Sequence, residues 1–291
     1  EIAKEFNLSH STLSRLLKRA REEKIVRFSI AEPYLSCHNK EETIKKKYGL
    51  QYVMVVPSSE NDSDIAVKKQ VAMEGARYLQ RVIKDGDILG FTWGGTMYHL
   101  IQYLNPCRKV NASFVTMHGN IEKCNKKFEV EALVRRAAMA FGGKNISIRD
   151  SGLCASKEEL EMRMNSPEMK NIGKLLKNIT IAVSGVGSLY PVFDSPLATT
   201  NYLDEKGKIL LKEKAAYGDV ILRFIDKNGE ECDTPYKDRT LSISLEDYRR
   251  IPCKILVASG VQKADTMKAA LKGKLADILV VDDKLADKII A

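Results

Sequence analysis

From about residue 40 to its end, the sequence alternates short apolar runs with amphipathic stretches. No other feature constrains the fold as strongly. The runs Tyr52–Val56, Ile88–Thr92, Ser113–Met117, Ile146–Ile148, Ile179–Val183, Val220–Ile225, Ile255–Ala258 and Ile278–Val281 predict strands. Apolar residues at helical spacing predict helices over 64–83, 96–104, 126–141, 157–164, 168–176, 262–272 and 283–290. Strands separated by helices build a mainly parallel sheet covered on both faces, a doubly wound α/β fold. In such open sheets ligands sit beyond the carboxyl ends of the strands, so function is to be sought where strands exit.

Size and composition fit that plan. A chain of 291 residues has room for one such domain and one small one. Hydrophobic residues make up 44% and charged residues 29%, with mean hydropathy −0.25, which supports an ordinary core and excludes wholesale disorder. No apolar run approaches the roughly 20 residues of a membrane helix. Cysteines at 37, 107, 124, 154, 232 and 253 form no CxxC pair, and no histidine lies three to five residues from another. A metal site is therefore not expected, and reduced thiols fit a cytosolic protein. No cofactor motif is present and no signal peptide is visible. The sequence opens at Glu1 in a helical pattern without Met, so the protein's start is expected to lie upstream.

The net charge of +9 permits nucleic acid or phosphorylated ligands but proves neither. Residues 1–30 hold seven Lys/Arg against four Asp/Glu, so the larger part of the net charge lies outside them. The case for DNA rests on geometry instead. Ile2, Ala3 and Phe6 mark a short helix, Asn7-Leu8-Ser9 a turn and N-cap, and Leu13, Leu16, Leu17 and Ala20 one face of a second helix. Two helices joined so tightly match a helix-turn-helix. The opposite face carries the candidate DNA contacts. Ser9, Ser11, Thr12 and Ser14 offer short hydroxyls, Arg15 can reach a guanine, and Lys18 and Arg19 suit phosphates. A solvated basic helix would show the same face. Ile25–Ile30 reads as a strand and 31–39, with Pro33, as a linker; the units are expected at 1–30 and 40–291.

Four strand exits have ligand-binding character. The first, Gly90-Phe91-Thr92-Trp93-Gly94-Gly95-Thr96, runs straight into a helix. Gly94 and Gly95 allow close backbone approach, while the helix start offers unpaired N–H groups and Thr96 a hydroxyl, a combination that suits phosphate. It is neither a Walker loop nor a GxGxxG fingerprint, so no nucleotide is indicated. The others are His118-Gly119-Asn120, Gly185-Val186-Gly187-Ser188 and Ser259-Gly260-Val261-Gln262-Lys263. Lys263 stands at a helix start, where the dipole prefers anions, and is a candidate anion ligand. Asp219 could bind sugar hydroxyls, and Trp93 reads as core or pocket wall. Asp226-Lys227-Asn228-Gly229 is a turn, and Ser156-Lys157-Glu158-Glu159 and Ser244-Leu245-Glu246-Asp247 read as capping boxes.

Taken together, the sequence resembles the SorC-type family of bacterial sugar-responsive transcription regulators over nearly its whole length. The resemblance rests on Leu13–Arg21 with Ile25-Val26, on Gly90–Thr96, Gly218-Asp219 and Ile251-Pro252, and on Ser259-Gly260 with Lys263. Ala269–Gly273, Leu279–Asp282 and Ala286 complete it. It implies a DNA-binding head and an effector domain similar to the sugar-phosphate isomerase, deaminase and coenzyme A transferase fold. It also implies a phosphorylated-sugar effector, operator DNA as partner, mostly repressor action, and assembly as dimers or tetramers. Carried over, Gly94, Gly95 and Thr96 would form the phosphate loop, Asp219 and Lys263 would meet sugar or phosphate, and Gly119 and Asn120 would line the crevice. Met97 departs from members that have a second hydroxyl there. The alternative is a sugar-phosphate isomerase or deaminase using Asp219, His118 and Lys263 as proton carriers, for which the N-terminal unit has no evident use.

Overall fold

The computed structural model describes residues 2–23, 32–199 and 202–291. The chain divides into two units, Glu1–Ser36 and Cys37–Ala291. In the smaller one, α1 (Ile2–Glu5) and α2 (His10–Glu22) flank a turn in which Asn7 takes a left-handed conformation, φ 51°. Ser9 caps α2, its hydroxyl accepting from Thr12 N–H at 3.0 Å. The expected strand Ile25–Ile30 lies outside the described residues. The expected linker 31–39 is corrected: α3 (Glu32–Tyr48) is helical through all of it that is described. Lys40, Glu41, Glu42 and Lys45–Lys47 favour helix and outweigh Asn39, and Pro33 stands in the first turn, where its missing N–H is harmless.

The larger unit is built on seven parallel strands. They are β1 (Tyr52–Val56), β2 (Ile88–Phe91), β3 (Ser113–Thr116), β4 (Lys144–Ile146), β5 (Ile181–Ser184), β9 (Cys253–Ala258) and β10 (Ile278–Asp282), in the order β1-β10-β9-β5-β2-β3-β4. The helices α4 (Asp64–Val82), α5 (Gly95–Gln102) and α6 (Val130–Phe141) bury Val71, Leu100 and Leu133 on one face, with Phe91, Val183 and Val280 of the sheet. On the other face lie α3, α7 (Lys157–Met164), α8 (Pro167–Leu176), α10 (Leu245–Arg250), α11 (Ala264–Lys272) and α12 (Asp283–Ile290), packed against Val55, Leu256 and Val281. Residues of opposite parity thus face opposite layers, as the pleat requires. This is the doubly wound arrangement the alternation predicts.

A second sheet has no counterpart in the sequence expectations. The stretch read as one strand, Val220–Ile225, is a hairpin of β7 (Gly218–Val220) and β8 (Arg223–Ile225), with β6 (Gly187–Ser188) antiparallel to β7. Its two-residue turn is Ile221–Leu222, both with positive φ, 52° and 64°, in the manner of a type I′ turn. An isoleucine there is strained, and it gives none of the Asn-Gly signal by which such turns are read. Arg223 holds the hairpin: its buried guanidinium donates to carbonyls of Lys237, Thr240 and Ser242 and pairs with Glu231 at 3.0 Å. With α9 (Glu205–Glu213) the small sheet encloses its own core of Leu197, Leu211, Phe224 and Tyr236.

Sheet order fixes where a ligand can sit. From β2 the chain winds outward through β3 and β4; from β5 it winds the other way through β9 and β10. The connections that leave the paired strands β2 and β5 therefore run in opposite directions, leaving the crevice expected at a topological switch point.

Candidate functional site

The crevice holds a pocket of about 480 Å³ including its open mouth. The segments that meet there include the loop after β2, the loop after β5, Gly187 of β6, Pro196, Asp219 of β7 with the Ile221–Leu222 turn, and the short 3-10 turn Val261–Lys263 after β9. Of the ten residues expected to bind effector, Gly94, Gly95, Thr96, Gly185, Gly187, Asp219 and Lys263 line this pocket.

The loop after β2 has a specific architecture. Gly94 caps α5 at φ 114°, ψ 169°, which only glycine adopts without strain. A Cβ on Gly95 would meet nothing nearer than Phe128 Cζ at 3.9 Å, so that residue's glycine leaves open space beside the helix start. The first α5 hydrogen bond runs from Tyr98 N–H to Gly94 O, at 2.9 Å. The N–H groups of Gly95, Thr96 and Met97 precede it, have no acceptor among the described residues, and form the positive end of the helix dipole. Such an end is complementary to an anion.

Asp219 and Lys263 face the pocket from the other segments. Asp219 is buried, and its Oδ1 accepts from Ser195 Oγ at 2.7 Å. Burial pushes its carboxyl up to about 6, against the opposing pull of Ser195 and Lys263. Gly187 makes room for this pair, because a Cβ would stand 2.1 Å from Asp219 Oδ1. Lys263 is buried as well; its Nζ donates to Val186 O at 3.0 Å, and burial lowers its pKa. Two further Nζ–H groups stay available to a ligand.

Three expected effector residues are placed elsewhere. His118 is fully buried behind the loop: Nε2 accepts from Trp93 N–H at 3.2 Å and Nδ1 meets Gly119 O at 2.7 Å. Burial pushes its pKa down to about 4, so it is a neutral loop support rather than a pocket residue. Gly119 packs against the 150–152 turn, where a Cβ would be 2.6 Å from Asp150 O. Asn120 lines a separate small pocket with Glu122, Ser151, Leu153 and Tyr202. These three follow β3, one strand beyond the switch point. Sequence reasoning missed Ser195, Pro196, Ile221 and Leu222; they lie on an irregular loop and an unmarked turn, which carry no periodic signal.

In the smaller unit the side chains of Ser11, Ser14, Arg15, Lys18 and Arg19 are exposed on α2. Leu16 and Leu17 are also exposed, at 48% and 46%, so the apolar face is only partly covered by the described residues. Lys18 and Arg19 pair with Glu22 and Glu23 one turn on.

A parallel sheet with a polar pocket at its switch point, preceded in the chain by two short helices joined by a turn, is the arrangement of a ligand-binding domain behind a small helical unit. The comparisons agree. Residues 32–291 match the family model of the sugar-binding domain, Sugar-bind, and the chain belongs to that family, shared with the SorC-type transcription regulators. It is 30% identical to the deoxyribonucleoside regulator of Bacillus subtilis (strain 168), over 98% of this chain and 90% of that one. It is 28% identical to the sorbitol operon regulator of Klebsiella pneumoniae, over 99% of this chain and 91% of that one. The crystal structure of that full-length regulator superposes with a TM-score of 0.84 at 27% identity, covering 100% of this chain and 92% of the other. These relatives are transcription regulators and not enzymes, which sets aside the isomerase or deaminase alternative.

Proposed function

We propose that this protein is a DNA-binding repressor, working in the cytoplasm, whose larger unit senses a phosphorylated sugar. The observation that carries the reading is the open start of α5, with Gly94, Gly95 and Thr96, set opposite buried Lys263 and Asp219 in one pocket. The helix start and Lys263 complement a phosphate; Asp219, with one carboxylate oxygen uncommitted to Ser195, accepts from a sugar hydroxyl. The α2 residues Ser11, Thr12, Ser14, Arg15, Lys18 and Arg19 address operator DNA, while Ser9 serves by capping the helix. A homodimer or homotetramer would place two heads on two half-sites. Effector then changes operator affinity only as far as it prefers one arrangement of the assembly over the other.

The test is thermal stability of the whole chain against paired phosphorylated and free sugars, with the ligand recovered afterwards. At 100 times its dissociation constant an effector stabilises the fold by about 2.7 kcal/mol. A shift with the phosphorylated member alone, recovered intact, supports the reading. A shift with free sugars only removes the phosphate from it, and operator affinity indifferent to a bound effector removes the coupling.

A further inference from the structure

The larger unit has a second, wider cleft of about 990 Å³ including its open mouth. It lies between Ser156 and Lys157 at the start of α7, Lys214 just after α9, and the segment 233–239, and it shares no lining residue with the pocket at the switch point. Buried polar atoms in folded proteins are nearly always hydrogen-bonded, so the exceptions point to missing partners. Among the described residues there are five such side-chain atoms, and two of them, Thr234 Oγ1 and Arg239 Nε, belong to residues of this cleft. Thr234 is 6% exposed. Arg239 Nη1 donates to Ala155 O at 3.2 Å, and its guanidinium stands 5.7 Å from the centre of the Tyr236 ring. These contacts hold the planar fork in place, while Nε and Nη2 have no acceptor among the described residues. A guanidinium only donates and a hydroxyl is able to, so the missing partner is an acceptor.

The charges favour the same class of ligand. Lys157 and Lys214 are exposed on the lining, and neither pairs with a carboxylate among the described residues. Asp150 and Glu159, on either side of the start of α7, are both taken by Arg163, at 2.8 and 2.6 Å. Glu159 also accepts from Ala155 N–H at 2.6 Å. Two carboxylates, Asp233 and Asp238, share the lining with the three cations; both are exposed, so water and salt screen them more than they screen the half-buried Arg239. Ser156 caps α7, whose start adds its own partial positive charge.

We infer that this cleft is a second anion-binding site, separate from the effector pocket, which takes the phosphate or carboxylate group of a small molecule. Arg239 and Thr234 donate to it, and Lys157 and Lys214 supply counter-charge. The guanidinium fork matches the spacing of two oxygens on such a group, which makes Arg239 the main determinant of affinity. Losing one charge-assisted hydrogen bond weakens binding by about 10- to 100-fold.

The experiment follows the arginine Nε–H signals of the whole, nitrogen-15-labelled chain while inorganic phosphate or malonate is added at constant ionic strength. The Arg239 signal is the one absent from Arg239→Lys. It should shift saturably with a dissociation constant below about 10 mM. Phosphate acting alone identifies a phosphate group as the ligand; malonate acting alone identifies a carboxylate. The same titration of Gly95→Ala, which obstructs the start of α5, should give an unchanged midpoint. A midpoint that moves with Gly95→Ala shows that the shift is relayed from the effector pocket and overturns the inference. A shift that grows linearly without saturating, or no shift with either anion, overturns it as well. A second variant, Thr234→Val, keeps the shape of the side chain and removes the hydroxyl. It should weaken the anion by about 10-fold or more while the melting temperature of the free protein holds or rises, because an unpartnered buried group is gone. Unchanged anion affinity in folded Thr234→Val overturns the two-donor site.

Discussion

Trp93 donates its backbone N–H to Nε2 of His118 at 3.2 Å, joining the exit of β2 to the exit of β3. The imidazole is fully buried and neutral, and the residue after Trp93 is the Gly94 cap of α5. Replacing His118 by Phe keeps an aromatic ring and strands the Trp93 N–H. The expected loss is about 1–3 kcal/mol of stability at pH 7. Effector affinity should fall with it, because the cap shifts. Denaturant melts and ligand titration of the same variant check both effects.

His118 and Asp219 make opposite contributions to stability as pH changes. Burial holds His118 down to about 4 in the folded state, from 6.5. Its contribution is complete above pH 6.5 and is lost as pH falls through about 4, because only the unfolded chain takes up the proton in between. Two to three pH units correspond to about 3 kcal/mol. Asp219 is raised from 3.8 to about 6, so its contribution is complete below 3.8 and is lost as pH rises through about 6. Asp219→Asn removes that loss. The variant should be more stable than the parent by about 2–3 kcal/mol at pH 7, with the difference vanishing near pH 4. Its effector affinity should drop about 10-fold or more, since a charge-assisted acceptor is gone. Melting curves from pH 4 to 8 decide the first part; an Asn variant less stable at pH 7 would show that Asp219 is better solvated than its burial implies.

Two adjacent glycines separate backbone strain from ligand space. Gly94→Ala forces a side chain to φ 114° and should destabilise by about 1–3 kcal/mol whether or not ligand is present. Gly95→Ala meets nothing closer than 3.9 Å and lies inside α5, so stability should hold or rise by a few tenths of a kcal/mol. Its methyl group nevertheless stands beside the open N–H groups. Phosphorylated sugar should then lose at least 10-fold in affinity without any change in the melting curve of the free protein. If Gly95→Ala binds normally, the anion approaches α5 from another side.

The sheet was legible in the sequence because its evidence is periodic. Apolar runs such as Ile255–Ala258 and Ile278–Val281 admit one reading once helices separate them, and the strand exits then follow. What sequence could not supply is which exits are neighbours. His118-Gly119-Asn120 looks like the other exits locally, yet β3 lies one strand away from the switch point, and its histidine turns inward. Pairing order is a long-range property that composition near residue 118 does not encode. The Ile221–Leu222 turn was hidden for a different reason. Two aliphatic residues between apolar neighbours read as strand, and tertiary packing around Arg223 overrides that propensity. Likewise Pro33 suggested a linker, although proline is compatible with the first turn of a helix such as α3.

On α2 the predictions divide by the type of contact each side chain can make. Ser9 uses its hydroxyl to cap the helix, so Ser9→Ala should lower helix stability by about 1 kcal/mol and weaken all DNA equally. Lys18 is exposed and lies 3.9 Å from Glu22, a distance at which a phosphate can displace the carboxylate. Lys18→Ala should reduce the steepness of log affinity against log salt by about 0.9, the contribution of one phosphate contact, without altering base preference. Arg15 is exposed in the middle of α2, and its guanidinium is of the type that pairs with a guanine edge. Arg15→Ala should relax discrimination at a single operator base pair by about 1–3 kcal/mol. Titrations of operator and single-base variants at several salt concentrations separate the two classes. If Arg15→Ala changes the salt slope and leaves base preference intact, Arg15 grips the backbone, and sequence must be read by the hydroxyls of Ser11 and Ser14 or by DNA shape.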